Sequence, residues 1–236
     1  MAVKRAIADA KELQSTLYRE SGMVYTIDDS NVLFGRACIF GPKDTPYEDC
    51  PMIYDIEIPH TFPFDPPNVK FITTDGHTRF HPNMYVCGKV CLSILGTWQG
   101  EKWSSVMRLS TILVTLQSLM DANPLKHEPG YASTNTSMHT LYATYIEYKC
   151  ICYILQYIEE YFNHGLDINI LARFKDEIIE RIPGSLDRLE VRLKKLLEKG
   201  DVSCFGLPYN LSDTTSYARC LERVVKLKAL QNTDHK

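Results

Sequence analysis

Cys91 is the residue whose surroundings most favour nucleophilic chemistry. It lies between Gly88-Lys-Val and Leu-Ser-Ile-Leu95, and Asn83 lies eight residues upstream. A thiolate attacks carbonyl carbons and leaves again readily, so cysteine suits a relay in which an acyl group is held and passed on. A side-chain amide such as that of Asn83 can donate a hydrogen bond to the resulting oxyanion, or hold the surrounding loop. No histidine follows Cys91 at close range, so the sequence does not support a protease-like Cys–His dyad, although a histidine distant in sequence could fold back to it.

Two other interpretations of this segment remain open. Cysteine reactivity needs exposure and a suitable electrostatic field, so Cys91 also fits an inert loop thiol. A zinc site is the second alternative, because four residues of ligating type lie close in sequence: His77, His81, Cys87 and Cys91. The number of ligands is right for zinc, but the spacing is not a usual one. We expect no bound metal.

Composition excludes several classes of protein. The 236 residues carry 26 basic and 29 acidic side chains, a net charge of −3. The chain therefore lacks the excess of positive charge that is typical of proteins that bind nucleic acids or membrane surfaces. The most apolar stretch, residues 141–162, contains four charged residues and is too polar to span a bilayer. We see no secretory signal, so the eight cysteines are expected to be free thiols and the protein to be cytoplasmic and nuclear.

Apolar periodicity predicts the elements that must position Cys91. The N-terminal part is predicted to begin with a helix at residues 3–17, followed by the strands of a β-meander at 31–40, 52–58 and 69–72. A long irregular segment at 77–105 and a second helix at 109–120 come next. Irregular segments of this length inside a compact domain are usually functional when they are not disordered. Since residues 77–105 are rich in Trp, Tyr, Leu and Val, they are predicted to be ordered and functional.

The remainder of the chain is predicted to be helical. Residues 131–140 are mostly small and polar and mark a domain boundary, which gives domains 1–135 and 136–236. Apolar faces follow at residues 148–162, 171–182, 186–197 and 216–230. Ser185 is predicted as the N-cap of the third of these helices, and Gly200 as its C-terminal stop.

Several motifs together resemble those of the ubiquitin-conjugating (E2) enzymes. They occur in the expected order over about residues 3–135: Gly41-Pro-Lys-Asp-Thr-Pro-Tyr-Glu48, Phe62-Pro-Phe-Asp-Pro-Pro67, His81-Pro82-Asn83, Gly88-Lys-Val-Cys91-Leu-Ser-Ile-Leu95 and Trp103-Ser. The segments Cys91–Trp98 and Asn123–Gly130 look most like the Z-type branch and the conjugating domain of a giant inhibitor-of-apoptosis ligase. The resemblance implies an α+β fold, the UBC fold: a four-stranded antiparallel meander flanked by helices. The Z type adds a C-terminal helical extension, here expected to be all-α.

The resemblance also implies a two-step relay. An activating enzyme (E1) would pass ubiquitin, or a ubiquitin-like modifier, to Cys91 as a thioester. A lysine of a protein substrate would then attack it, usually with a ligase (E3) holding both proteins. Asn83 would stabilise the intermediate or its loop, and His81 and Pro82 would shape that loop. No cofactor is implied, because the E1 consumes the ATP.

Family positions that bind partners are occupied here by two sets of residues. Those that typically contact E1 or E3 are Lys4, Arg5 and Phe64. Those on the helix against which the donor ubiquitin packs are Leu109, Leu113 and Ser118.

Several positions depart from the common family pattern. Ser93 replaces an aspartate found in many members two residues after the cysteine. In the loop after the second helix, His127 is the best candidate to assist the attacking lysine, because an imidazole can accept a proton near neutral pH; Lys126 and Glu128 flank it. The ligase-binding loop carries Ser104-Ser105-Val106 without the usual proline, and residues 96–102 are longer than in minimal members.

Two other functions remain as alternatives to an active transferase. The first is a catalytically weak ubiquitin-binding or scaffold variant of the same fold. Such variants lack the cysteine, whereas this chain keeps Cys91 and Asn83, which favours the enzyme. The second is a helical interaction protein whose main role lies in residues 136–236.

Overall fold

The structure is a computed structural model and describes residues 1–133, 136–166 and 170–234. The chain divides into two compact units, Met1–Thr134 and Asn135–Lys236, one residue away from the predicted boundary. In the described parts of the chain, no helix has the length and apolar character needed to cross a membrane.

The first unit begins with two helices, α1 (Ala2–Leu13) and α2 (Thr16–Glu20), where a single helix was predicted. The prediction is wrong because Ser15 is extended, at ψ 152°, and ends the helical path between them. Of the predicted apolar face, Ala6, Ala10 and Leu13 are buried, whereas Val3 and Leu17 at its two ends are exposed. The buried face also includes Asp9, whose carboxylate accepts a hydrogen bond from the Leu109 N–H at 3.2 Å.

The predicted four-stranded antiparallel meander is confirmed. Its strands, in the order in which they pair, are β1 (Met23–Ile27), β2 (Phe34–Phe40), β3 (Pro51–Glu57) and β4 (Asn68–Phe71). β1 was not located from the sequence, because its five residues follow Gly22 directly and are too short for a clear alternation. β3 lies inside the sheet with both faces largely covered, and its half-buried Asp55 pairs across the strands with Arg36 at 2.6 Å.

Residues 77–105 form a largely irregular segment that carries the candidate site. Their regular structure consists of isolated bridges, such as Met84 with Val90, and a 3-10 turn at Ser93–Leu95. The segment leads into α3 (Leu109–Leu119), close to the predicted bounds. Because Asp9 of α1 binds the first N–H of α3, the start of this helix is fixed against the N-terminal helix.

The described residues of the second unit contain three α-helices, α4 (Thr136–His164), α5 (Lys175–Lys199) and α6 (Tyr217–Asp234). The two helices predicted at 171–182 and 186–197 are one continuous helix, so Ser185 is a buried interior residue and not an N-cap. The buried stripe of α5 runs unbroken past Pro183, and its burial outweighs the cost of a proline inside a helix, about 3 kcal/mol. Gly200 ends α5 with φ 81°, as predicted.

The second unit is not purely helical. A short antiparallel hairpin, β5 (Ser203–Cys204) paired with β6 (Asp213–Thr214), lies between α5 and α6. The all-α prediction for this part is therefore wrong in this one element. Strands of two residues are too short to leave a periodic signal in the sequence.

Candidate active site

Asn83 holds the backbone of Cys91 at two points. The Cys91 N–H donates to the Asn83 carbonyl oxygen at 2.9 Å, and Asn83 Nδ2 donates to the Cys91 carbonyl oxygen at 2.7 Å. Among the described residues, Asn83 Oδ1 is buried without a hydrogen-bond partner. The amide is therefore held by one hydrogen bond through its nitrogen. The predicted pair of residues is brought together, with the Asn83 amide bound to the backbone of the candidate nucleophile, Cys91.

Cys91 itself is 3% exposed and lies just before the 3-10 turn. Ser93, in this turn, is partly exposed. Gly100 packs against it: a Cβ at position 100 would lie 3.1 Å from Ser93 Cβ, and Gly100 has φ 129°, which favours glycine. The loop at residues 96–102 therefore folds back against the turn that follows Cys91.

His81 is a structural member of the site. It is fully buried, and its Nδ1 accepts a hydrogen bond from the Asn83 N–H at 3.0 Å. Burial holds the pKa of His81 well below its usual value; His127 and Arg79 act in the same direction, while the Leu119 carbonyl opposes them. A neutral imidazole that accepts at Nδ1 carries its proton on Nε2. His81 is thus a neutral acceptor that fixes the Asn83 backbone and not a base.

The residues before Asn83 are anchored from two directions. The Pro82 carbonyl accepts a hydrogen bond from the Arg79 guanidinium. The Tyr47 hydroxyl donates to the Phe80 carbonyl at 2.7 Å. These contacts give the loop a defined shape although it contains little regular structure.

His127 lies beside this loop and has a partner that the sequence did not indicate. Its Nε2 is 3.0 Å from Asp121 Oδ2, and its ring centroid is 5.0 Å from that of His81. The Asp121 carboxylate orients the imidazole. Sequence reasoning missed Asp121 because it lies six residues away, before the Asn123-Pro124 turn. Lys126 is exposed, and Glu128 lies 3.9 Å from Arg79.

The predicted partner-binding residues differ in accessibility. Lys4 and Phe64 are exposed, Phe64 at 68%. The side chain of Arg5 is instead engaged within the unit: it pairs with Asp9 at 2.9 Å and donates to the Met107 carbonyl at 2.8 Å. Arg5 therefore ties α1 to the loop before α3, and its availability to a partner is limited.

The predicted donor-ubiquitin face on α3 needs correction. Leu109 and Leu113 are fully buried, because they belong to the apolar stripe by which α3 packs into the core. They cannot contact a bound protein without unfolding of the helix. Ser118 is exposed, and so is Val114, one turn before it. An accessible face on α3 would therefore contain these two residues.

The alternative zinc site does not form. Across the described residues, no group of three or more His, Cys, Asp or Glu side chains converges in a way that could hold a metal ion. Cys87 is exposed, whereas Cys91 and His81 are buried.

Sequence comparisons agree with the geometry of this site. The pattern of the family described as "Ubiquitin-conjugating enzyme" matches residues 6–149, more than half of the chain and beyond the predicted end of the core at 135. Ubiquitin-conjugating enzyme E2 Z of Xenopus tropicalis is 45% identical over 119 residues, 49% of this chain and 38% of that protein. The human dual E2 ubiquitin-conjugating enzyme/E3 ubiquitin-protein ligase BIRC6 is 39% identical over 136 residues, 54% of this chain and 3% of that protein.

Among solved structures, the E2 domain of a Toxoplasma gondii ubiquitin-conjugating enzyme matches with a TM-score of 0.48 and 27% identity, over 61% of this chain and 92% of that one. This chain matches well under two thirds of the length of its curated relatives. The family pattern nevertheless covers the whole segment that carries Asn83 and Cys91. The chain therefore belongs to the ubiquitin-conjugating enzyme (E2) family and is similar to its Z-type members.

Proposed function

We propose that this chain accepts ubiquitin, or a ubiquitin-like modifier, from an E1 as a thioester on Cys91 and transfers it to a lysine of a protein substrate. The observation that carries the proposal is the double hydrogen bond between Asn83 and the Cys91 peptide, within a segment that matches the family. No observation in the described residues favours a silent variant, since both of these residues are present and in contact.

The first step is a thiol exchange. The Cys91 thiolate attacks the carbonyl carbon of the E1–ubiquitin thioester, the new C–S bond forms, and the E1 thiolate leaves. The second step is aminolysis: a neutral lysine amine attacks the same carbonyl and an oxyanion develops. The Cys91 thiolate leaves and the nitrogen gives up one proton, to water or to a nearby base, as the isopeptide bond forms. Neither step uses a metal ion or an organic cofactor.

Asn83 has two available roles in the second step. Its Nδ2 donates a hydrogen bond to the Cys91 carbonyl, so it can donate to a developing oxyanion only after that hydrogen bond is broken. The missing partner of Oδ1 leaves the amide without a second anchor among the described residues, which favours such a rotation. If the amide does not rotate, it acts by fixing the peptide that carries the nucleophile.

His127 is proposed to assist the lysine amine, with Asp121 orienting its imidazole. The alternative is that His127 only supports the loop through its contact with His81. The pH profile of discharge to free lysine distinguishes the two. A base role requires His127→Ala to flatten the rise in discharge rate between about pH 5 and 8, where imidazoles titrate. An unchanged profile with a normal fold would remove His127 from the mechanism.

Partner surfaces follow from accessibility. Lys4 and Phe64 are proposed to contact E1 or E3, and Val114 with Ser118 to contact the donor ubiquitin. The other proposed partners are an E3 and a protein substrate.

Charging with E1, ubiquitin and ATP tests the function directly. The wild-type chain should form a ubiquitin adduct that thiols cleave, Cys91→Ala should form none, and Cys91→Ser should form a thiol-resistant oxyester. The matched control is Cys87→Ala, which removes an exposed thiol four residues away and should charge normally. An adduct on Cys91→Ala that is lost in Cys87→Ala would contradict the assignment.

A further inference from the structure

The hydroxyl of Thr97 bridges the backbone on both sides of Cys91. Thr97 Oγ1 accepts a hydrogen bond from the Leu92 N–H at 2.9 Å and donates to the Val90 carbonyl at 2.7 Å. The Thr97 N–H donates to the Leu92 carbonyl at 3.2 Å. The hydroxyl therefore takes the place that a neighbouring strand would occupy in a regular sheet.

Each of the two peptide groups that flank Cys91 is held at both of its ends. In the group between Val90 and Cys91, the carbonyl is bound by Thr97 and the N–H by Asn83. In the group between Cys91 and Leu92, the carbonyl is bound by Asn83 and the N–H by Thr97. Two residues thus satisfy all four backbone groups around the nucleophile.

The orientations of these two peptide groups determine φ and ψ of Cys91 and therefore the direction of its Cα–Cβ bond. A displacement of about 1 Å between reacting atoms can lower a reaction rate by ~10²-fold. Cys91 as a whole residue is only 3% exposed, so its side chain has little freedom to reach an incoming carbonyl from another direction.

We propose that Thr97 is a positioning residue for the thioester chemistry of Cys91, and this proposal rests on the proposed function. Its importance increases when the Asn83 amide leaves the Cys91 carbonyl to meet the oxyanion. At that moment, Thr97 and the Asn83 backbone carbonyl are the contacts that still hold the peptides flanking the nucleophile.

Two substitutions separate the hydroxyl from the shape of the side chain. Thr97→Val keeps the shape and removes both hydroxyl contacts, whereas Thr97→Ser keeps the hydroxyl. Thr140→Val is the matched control, because it removes a hydroxyl that donates to the carbonyl of Thr136 within an exposed turn of α4.

The first measurement is amide hydrogen exchange, which does not depend on activity. Thr97→Val should accelerate exchange of the Leu92 amide, whose acceptor it removes, while Thr97→Ser and Thr140→Val should leave that exchange unchanged. Unchanged exchange in Thr97→Val would overturn the inference, whether or not the chain accepts ubiquitin.

The second measurement is single-turnover discharge of the charged protein over a range of lysine concentrations. Thr97→Val should lower the maximum rate by about tenfold, and Thr97→Ser should restore it to within about twofold of the wild-type rate. The lysine concentration at half-maximal rate should not change, because positioning the sulfur does not alter lysine binding. A normal maximum rate in Thr97→Val would reduce Thr97 to a structural role, and failure of the wild-type chain to charge would instead overturn the proposed function.

Discussion

The segment around Cys91 and the helices of the second unit are stabilised by different interactions. Around Cys91, side chains bind backbone groups one by one: Asn83, His81 and Thr97 each hold a specific peptide. In the second unit, an unbroken apolar stripe on α5 is buried, and polar side chains mainly pair with each other, as Arg223 does with Glu159. A single polar substitution should therefore disable the first region and scarcely affect the second, whereas apolar truncation should unfold the second.

Leu186→Ala should produce the largest loss of stability in this comparison. Leu186 lies fully buried in the stripe of α5, and truncation of such a leucine to alanine costs about 2–5 kcal/mol in transfer free energy and cavity formation. Chemical unfolding followed by far-UV circular dichroism measures the loss. Val191→Ala on the same helix is the control, because Val191 is 56% exposed and its truncation should change stability little. Equal losses in the two variants would show that the stripe does not stabilise the unit.

Asn83→Ala should lower discharge to lysine by ~10²-fold if the amide binds the oxyanion, with loading from E1 largely retained. Loading should survive because the Asn83 backbone carbonyl still accepts the Cys91 N–H. Asn31→Ala is the control, since it removes an amide whose oxygen accepts a hydrogen bond in an exposed turn. Loading and discharge that fall together, with a loss of thermal stability, would make Asn83 a structural residue only.

The difference between backbone contacts made by single side chains and burial of an apolar stripe also explains how much of each region could be predicted from the sequence. Strands β2 to β4 and α3 were located because apolar periodicity and secondary structure coincide there, whereas β1 was missed. Cys91 and Asn83 were found through their residue types and the family motifs. Asp121 and Thr97 gave no signal, since each acts through a contact that only the folded backbone creates, and aspartate and threonine are also ordinary loop residues.

Errors in the predictions have a common physical origin. Local signals were given more weight than burial: a serine of N-cap type suggested a helix boundary at Ser185, yet the buried stripe of α5 continues through it. On α3, the same stripe that identified the helix also buries Leu109 and Leu113 and removes them from any binding face. In both cases tertiary packing, and not the local sequence, determines whether the helix continues and which of its residues are accessible.

Acid should destabilise the first unit through His81. The pKa of the buried His81 is held below its unfolded value of about 6.5, so below that pH the unfolded chain binds a proton that the folded chain does not. Stability should be constant above this value and fall as the pH decreases through it, by at most about 1.4 kcal/mol per pH unit.

Unfolding measured at several pH values tests the role of His81. His81→Gln should be less stable near neutral pH but lose less stability on acidification than the wild-type chain. His60→Gln, at an exposed histidine, should follow the wild-type profile. If the stability of His81→Gln depends on pH as that of the wild-type chain does, groups other than His81 cause the acid sensitivity.

Arg223→Gln should have the smallest effect, although the ion pair that it breaks is well formed. Arg223 binds both oxygens of Glu159, at 2.7 and 2.8 Å, but the two side chains are 27% and 36% exposed. Water and salt screen partly exposed charges, so such a pair contributes about 0.2–1 kcal/mol. Arg223→Gln, Glu159→Gln and the double variant form a cycle whose coupling energy isolates the pair. A coupling energy well above this range would show that a polar contact stabilises the second unit as strongly as its apolar stripe does, and the contrast between the two regions would then fail.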